Sequence, residues 1–93
     1  MIVSFRSEAT AAIFRDEQPS ELPSTIQRTA RRKLVQLDLA AKLDDLRVPP
    51  GNRLEALKGN RKGQHAIRIN DQWRICFRWT DAGVEDVETV DYH

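Results

Sequence analysis

Two groups of residues in this 93-residue chain have the types and spacing to do chemistry. Between positions 53 and 79, seven cations, among them Lys58, Arg61, Lys62, Arg68, Arg74 and Arg78, interleave with strand-forming residues, and the sequence ends on Asp91, Tyr92 and His93. Cations spaced along strands can neutralise phosphates, and an imidazole, which ordinarily titrates near ~6.5, can move a proton at neutral pH. Together they point to phosphodiester cleavage. RNA carries its own nucleophile, the ribose 2′-hydroxyl, so the protein has only to remove that proton, stabilise a dianionic phosphorane and protonate the leaving 5′-oxygen. Two proton handlers and one or more cations suffice, with no metal or other cofactor.

Each candidate also has a plainer reading. Arg74 offers a planar fork for two phosphate oxygens, or it is an inert sheet-surface arginine. Lys58 stabilises the same charge, shuttles a proton, or is a solvated lysine beside Gly59. Tyr92 orients a phosphate or base, or covers the edge of the core. His93 is a proton handler or a frayed tail. Arg61, Lys62, Arg68 and Arg78 suit contacts with RNA backbone phosphates, which are independent of sequence and sensitive to salt. His65 alternates with Ile67 and Ile69 and reads as a core or boundary histidine, while Trp73 and Trp79 read as core anchors.

Composition sets the frame. A chain of this length forms one domain over residues 1–93, able to bury ~60–65% of its unfolded surface. With 40% hydrophobic and 31% charged residues it reads as a soluble globular domain, without an apolar run long enough to span a bilayer or a secretion signal. The expected location is the cytosol. Cys76 is the lone cysteine, so no internal disulfide forms, and no Cys/His cluster has metal-ligand spacing. The formal net charge of +1 conceals segregation: residues 48–80 carry seven bases against Glu55 and Asp71, whereas residues 81–93 carry five acids and no base. A basic centre fits a polyanionic partner, although like-charge blocks are more often solvated faces.

The elements that must position these residues follow from periodicity. Ile2 to Arg6 reads as a short opening strand, and Ser7 caps a helix over Glu8 to Phe14. A Pro-containing connector follows. Ser24 and Gln27 match a capping box, and Ile26, Ala30, Leu34, Leu37 and Ala41 form the core stripe of a second helix, leaving Arg28, Arg31, Arg32 and Lys33 on its solvated circumference. Beyond Val48-Pro49-Pro50-Gly51 the period switches to two. Leu54–Leu57 reads as a short strand, residues 59–63 as a basic loop, and residues 65–69 and 73–79 as a hairpin that pairs Ile67 with Ile75 across a three-residue loop. That register sets Arg68 opposite Arg74, which is destabilising without an intervening anion or acid. A last strand runs from Val84 to Tyr92, with a bulge expected near Glu88 or Thr89. The fold class is α+β: a short N-terminal strand, two helices, then a C-terminal antiparallel sheet.

This pattern resembles the RelE superfamily of bacterial toxins, and its details resemble the HigB branch, the plasmid-maintenance killer proteins. The resemblance covers most of the chain and rests on Ile2, Ser4 and Phe5, on Leu57-Lys58-Gly59-Asn60-Arg61, Gly63, Ile67-Arg68 and Trp73-Arg74-Ile75, and on the terminal Asp91-Tyr92-His93. It implies a ribosome-dependent, metal-independent endoribonuclease that cuts translated messenger RNA in the A site. It also implies restraint by a helix-turn-helix antitoxin of HigA type, with operator DNA bound only through the antitoxin complex and no membrane partner. By the same resemblance Lys58, Arg74, Tyr92 and His93 are catalytic, Asp91 is their acidic neighbour, and Glu55 stands where some members place a histidine, as a base, as a residue that positions His93, or as a replacement that leaves the enzyme slower than its relatives. The alternatives are a non-catalytic toxin like the gyrase-poisoning ParE relatives, or a basic RNA-binding module.

Overall fold

Ser7 caps the first helix as expected: its hydroxyl accepts the Thr10 amide at 3.3 Å and opens helix α1, Glu8–Phe14. Such a short helix has little stability of its own and depends on packing. It is held by its buried residues Thr10, Ala11, Ala12 and Ile13. Helix α2, Ser24–Leu39, follows in the computed structural model, which describes residues 1–92. Its start departs from the expected capping box. Pro23 occupies the cap position with no side-chain hydrogen bond, and the Gln27 amide instead donates to the carbonyls of Pro19 and Leu22 at 2.8 and 2.9 Å. Gln27 therefore ties down the connector rather than the helix end.

The stripe Ile26, Ala30, Leu34 and Leu37 is buried as its spacing requires, but α2 ends before Ala41. Lys33 is a correction. It was expected on the solvated side, yet it is 8% exposed and its ammonium donates to Asn52, which is itself fully buried. The Asn52 amide nitrogen donates to Gln36 and to the Leu46 carbonyl, so this inserted polar group is satisfied and anchors the connector after α2. Burial and the neighbouring Arg32 and Arg68 charges push the Lys33 amine below its ordinary range.

Four antiparallel strands follow in simple meander order: β1 (Glu55–Ala56), β2 (His65–Arg68), β3 (Trp73–Thr80) and β4 (Gly83–Asp91). The opening segment adds to the far edge of β4 through parallel bridges from Ile2 to Val84 and from Phe5 to Val87. Both helices contact β4, and one sheet face closes against them through Ile67, Ile75, Phe77, Val84 and Val87. Val84 and Val87 lie three apart yet face the same core. A bulge reconciles them: Cys76 pairs with Glu88 but Arg78 pairs with Glu85, leaving one extra residue on β4, and Asp86 adopts φ 54°. The irregularity thus falls slightly before the expected Glu88 or Thr89.

The hairpin has the expected register, with Ile67 against Ile75 and Arg68 against Arg74. On the second face lies only a small apolar patch of Leu57, Ala66 and Cys76, packed against Val90. That face is left to polar side chains. His65 is half-buried and stacked on Phe77 with ring centroids 6.2 Å apart, and Trp79 packs against the main core, in keeping with their sequence reading. Among the described residues no helix is long and apolar enough to cross a membrane.

The buried Thr10 hydroxyl joins α1 to β4, accepting the Thr89 amide at 2.9 Å and donating to the Thr89 hydroxyl at 3.0 Å. Thr10→Val keeps the shape but leaves that amide unpaired, and an expected loss of about 1–3 kcal/mol is measurable by urea unfolding.

Candidate RNA-cleavage site on the open sheet face

Side chains of antiparallel partners share a face, so the pairings locate the candidates directly. Arg74 pairs with Arg68 and with Val90, Ala66 pairs with Glu55 and with Cys76, and Cys76 pairs with Glu88. Glu55, Arg68, Arg74 and Glu88 therefore all project from the face that the helices leave uncovered. Trp73 pairs with Asp91, which places Asp91 on the opposite face, where the Gln72 amide donates to its carboxylate at 3.0 Å.

Arg74 is the centre of the cluster. Its side chain is only 18% exposed, its guanidinium carbon lies 4.5 Å from the centroid of the Tyr92 ring, and its Nε is 3.9 Å from a Glu55 oxygen. The Tyr92 contact is a cation–π interaction that holds the guanidinium plane. At 3.9 Å the Glu55 contact is electrostatic and too long for a hydrogen bond. The buried Arg74 Nε consequently has no hydrogen-bond partner. A buried donor without a partner costs free energy, which an acceptor brought to Nε would recover.

Tyr92 is brought over the sheet by the backbone, its amide donating to the Gln72 carbonyl at 2.6 Å. With Glu55, Ala56, Leu57, Lys58 and Arg61 it lines an open depression of about 370 Å³. Lys58 stands at the rim. Its side chain is exposed and has no hydrogen-bond or ion-pair partner among the described residues. Its carbonyl accepts the Arg61 amide at 3.2 Å in a single helical turn over Gly59–Arg61, and Gly59, at φ 62°, adopts the left-handed backbone that follows Lys58.

Arg61 is more committed than its sequence position indicated. Its guanidinium donates to Glu88 at 2.8 Å and to Gln64 at 3.1 Å, and the Glu88 hydrogen bond raises its already high pKa. Glu88 was missed as a site residue. The only signal for it in the sequence was its even spacing from Val90, which places both on one face. Arg68 is paired with Asp71 and Arg78 with Asp86 at 3.5 Å, so these two cations flank the centre with partial neutralisation. Lys62 is exposed on the turn after Arg61. The structure thus gathers Glu55, Lys58, Arg61, Arg74 and Tyr92, sets Arg68 beside them and Arg78 farther along the same face, and turns Asp91 away. His93 lies outside the described residues.

Comparison with known proteins gives a consistent pattern. A family model described as a RelE-like toxin of the type II toxin–antitoxin system HigB matches residues 3–93. The protein called Toxin HigB-1 from Vibrio cholerae serotype O1 is 43% identical over 82 residues, spanning 87% of this chain and 86% of the relative. Endoribonuclease HigB from Proteus vulgaris is 27% identical over 93 residues, spanning all of both chains. Among solved structures, YafQ from Escherichia coli superposes with a TM-score of 0.62 at 16% identity over 98% of this chain and 91% of that one. A chain of the YoeB–YefM complex from Staphylococcus aureus superposes with a TM-score of 0.61 at 18% identity over 100% and 95%. These last two establish the fold.

Cys76, fully buried beneath the cluster, has its thiol pushed above the ordinary value of 9.0 chiefly by burial, against the opposing pull of Arg61. A raised folded value means that the unfolded chain loses this proton first. The thiol's contribution to stability is therefore intact below pH 9.0 and declines as pH rises beyond it. At pH 8 a disulfide reagent should label Cys76 only after denaturant is added; rapid labelling of the native protein contradicts this burial.

Proposed function

We infer the activity from a firm premise: the chain belongs to the RelE-like toxins of HigB type II toxin–antitoxin systems. It is a ribonuclease toxin, an endoribonuclease acting on messenger RNA, in keeping with the Proteus vulgaris relative that bears that name. The observation that carries this reading is the Arg74 guanidinium, with an unpaired buried Nε, set between Glu55 and Tyr92 beside the depression that Lys58 lines.

In the proposed reaction the scissile phosphate settles against Arg74, whose Nε supplies a donor without first breaking another bond. Lys58 approaches from the rim. The two cations stabilise the charge that develops as the 2′-hydroxyl attacks phosphorus, forming a 2′,3′-cyclic phosphate and expelling the 5′-oxygen. Glu55 and His93 are the groups that take up and return protons, and Tyr92 orients the phosphate while fixing Arg74. Arg68, Arg78 and Lys62 hold flanking phosphates. Asp91, held by the Gln72 side-chain amide, helps to fix the terminal segment that carries Tyr92, whose own amide donates to the Gln72 carbonyl. The natural setting is translated message in the ribosomal A site, and the restraining partner is a helix-turn-helix antitoxin of HigA type through which alone the pair binds operator DNA.

Primer extension on a reporter message in a translating extract tests the reading. Wild-type protein should produce cuts at defined codon positions that vanish when initiation is blocked, and Arg74→Ala should slow their appearance by roughly 10²–10³-fold. Undiminished cleavage by Arg74→Ala, or no cleavage by the wild type, contradicts it. Removal of His93 should likewise abolish cutting while urea unfolding is unchanged.

A further inference from the structure

We propose that Glu88 is a positioning residue of the site: its carboxylate holds Arg61 across the open sheet face and so fixes the 58–63 turn, with Lys58 on it, against the strands that carry Arg74 and Tyr92. This rests on the ribonuclease reading above and adds a residue that acts through another.

The turn needs such a tie. Lys58, Gly59, Asn60, Lys62 and Gly63 are all exposed, so no buried apolar side chain anchors them. The backbone bonds within the segment make it a rigid unit: Arg61 amide to Lys58 carbonyl at 3.2 Å, Gln64 amide to Arg61 carbonyl at 2.9 Å, and Leu57 amide to Gln64 carbonyl at 2.9 Å. They fix its internal shape but attach it only to the two-residue strand β1 and the start of β2. The Arg61 guanidinium supplies the missing lateral constraint. It spans from the turn to β4 on the far side of β3, where it meets Glu88 at 2.8 Å, and it grips Gln64 at 3.1 Å on the way.

The contact is sheltered, with the Glu88 side chain 16% exposed and the Gln64 residue 4% exposed. A charge-assisted hydrogen bond there is short and directional, unlike the open surface pairs of this molecule. Because the Arg61 amide is bonded to the Lys58 carbonyl, displacement of Arg61 moves Lys58 as well. A shift of about 1 Å in a group that stabilises a transition state is enough to cost up to ~100-fold in rate.

A double-mutant cycle on single-turnover cleavage tests this, using the full chain on translating ribosomes with Lys58→Ala, Glu88→Ala and both together. Glu88→Ala should lower the maximal cleavage rate by about 10- to 100-fold with less than about a twofold change in half-saturating ribosome concentration, and Glu88→Gln should recover part of the loss. In the Lys58→Ala background the same Glu88 change should cost less than about twofold, because the group it positions is gone. Thermal melts of each variant keep the assay temperature below unfolding, and Glu88→Gln serves where Glu88→Ala folds poorly. Fully additive penalties, wild-type rates for Glu88→Ala, or a loss confined to half-saturation overturn the positioning role alone. Full cleavage by Lys58→Ala overturns the ribonuclease assignment of Lys58 instead.

Discussion

The pairing of β2 with β3 governs this molecule. Ile67 faces Ile75 because both must enter the core beneath the helices, and Phe77 and Ile13 complete that core. A slip of β2 by one residue would turn Ile67 out of the core and move its polar neighbour Arg68 in, so the register is strongly specified. The same register sets Arg68 opposite Arg74 on the other face. Two guanidinium groups are thus forced together by the burial of aliphatic side chains that never touch them. Their repulsion is met locally, Arg68 by Asp71 and Arg74 by Glu55 and the Tyr92 ring. The partial nature of the second compensation, with a carboxylate beyond hydrogen-bond reach and a donor left unpaired, is what distinguishes Arg74, the proposed phosphate ligand, from Arg68.

The two sheet faces therefore do different work. The helix-covered face supplies stability through a continuous apolar cluster, sealed at one end by Thr10 on Thr89 and at the other by Lys33 on Asn52. The open face has only Leu57, Ala66, Cys76 and Val90 beneath its charges. That thin layer partly shelters the Arg74 side chain and the Glu88 end of the Arg61–Glu88 contact, 18% and 16% exposed, which strengthens both interactions. A bulge at Asp86 reconciles the faces, keeping Val84 and Val87 in the core while returning Glu88 and Val90 to the open side.

Much of this was readable from residue types and spacing. Ser7 capping Glu8–Phe14 and the Ile67–Ile75 register follow from short-range rules in which the deciding contacts lie within a few residues. Where those rules failed, a distant partner had intervened. Ser24 lost its capping role because Gln27 bonds back to the connector, and Lys33 left the solvated side because Asn52, 19 residues on, offered a buried acceptor. The clustering of cations was visible in Lys58, Arg74 and their neighbours, but which of them pair with acids was not. Arg61 and Arg68 look equivalent to Arg74 in sequence; only the sheet shows that their nearest acids, Glu88 and Asp71, engage them directly. Asp91 reads as part of the terminal cluster until its pairing with Trp73 fixes which face it takes.

Convergence of groups from separate strands on one phosphate is the claim on which the chemistry stands. It is tested most directly by titrating the protein with a short 2′-O-methyl RNA, which cannot supply the nucleophile, while following side-chain magnetic resonance signals. The Arg74 Nε–H, the Lys58 ammonium and the Tyr92 ring should shift together along a single binding isotherm, with Arg28 and Arg32 on α2 unmoved. Shifts confined to α2, or separate isotherms for Arg74 and Lys58, would show that these groups do not share a substrate.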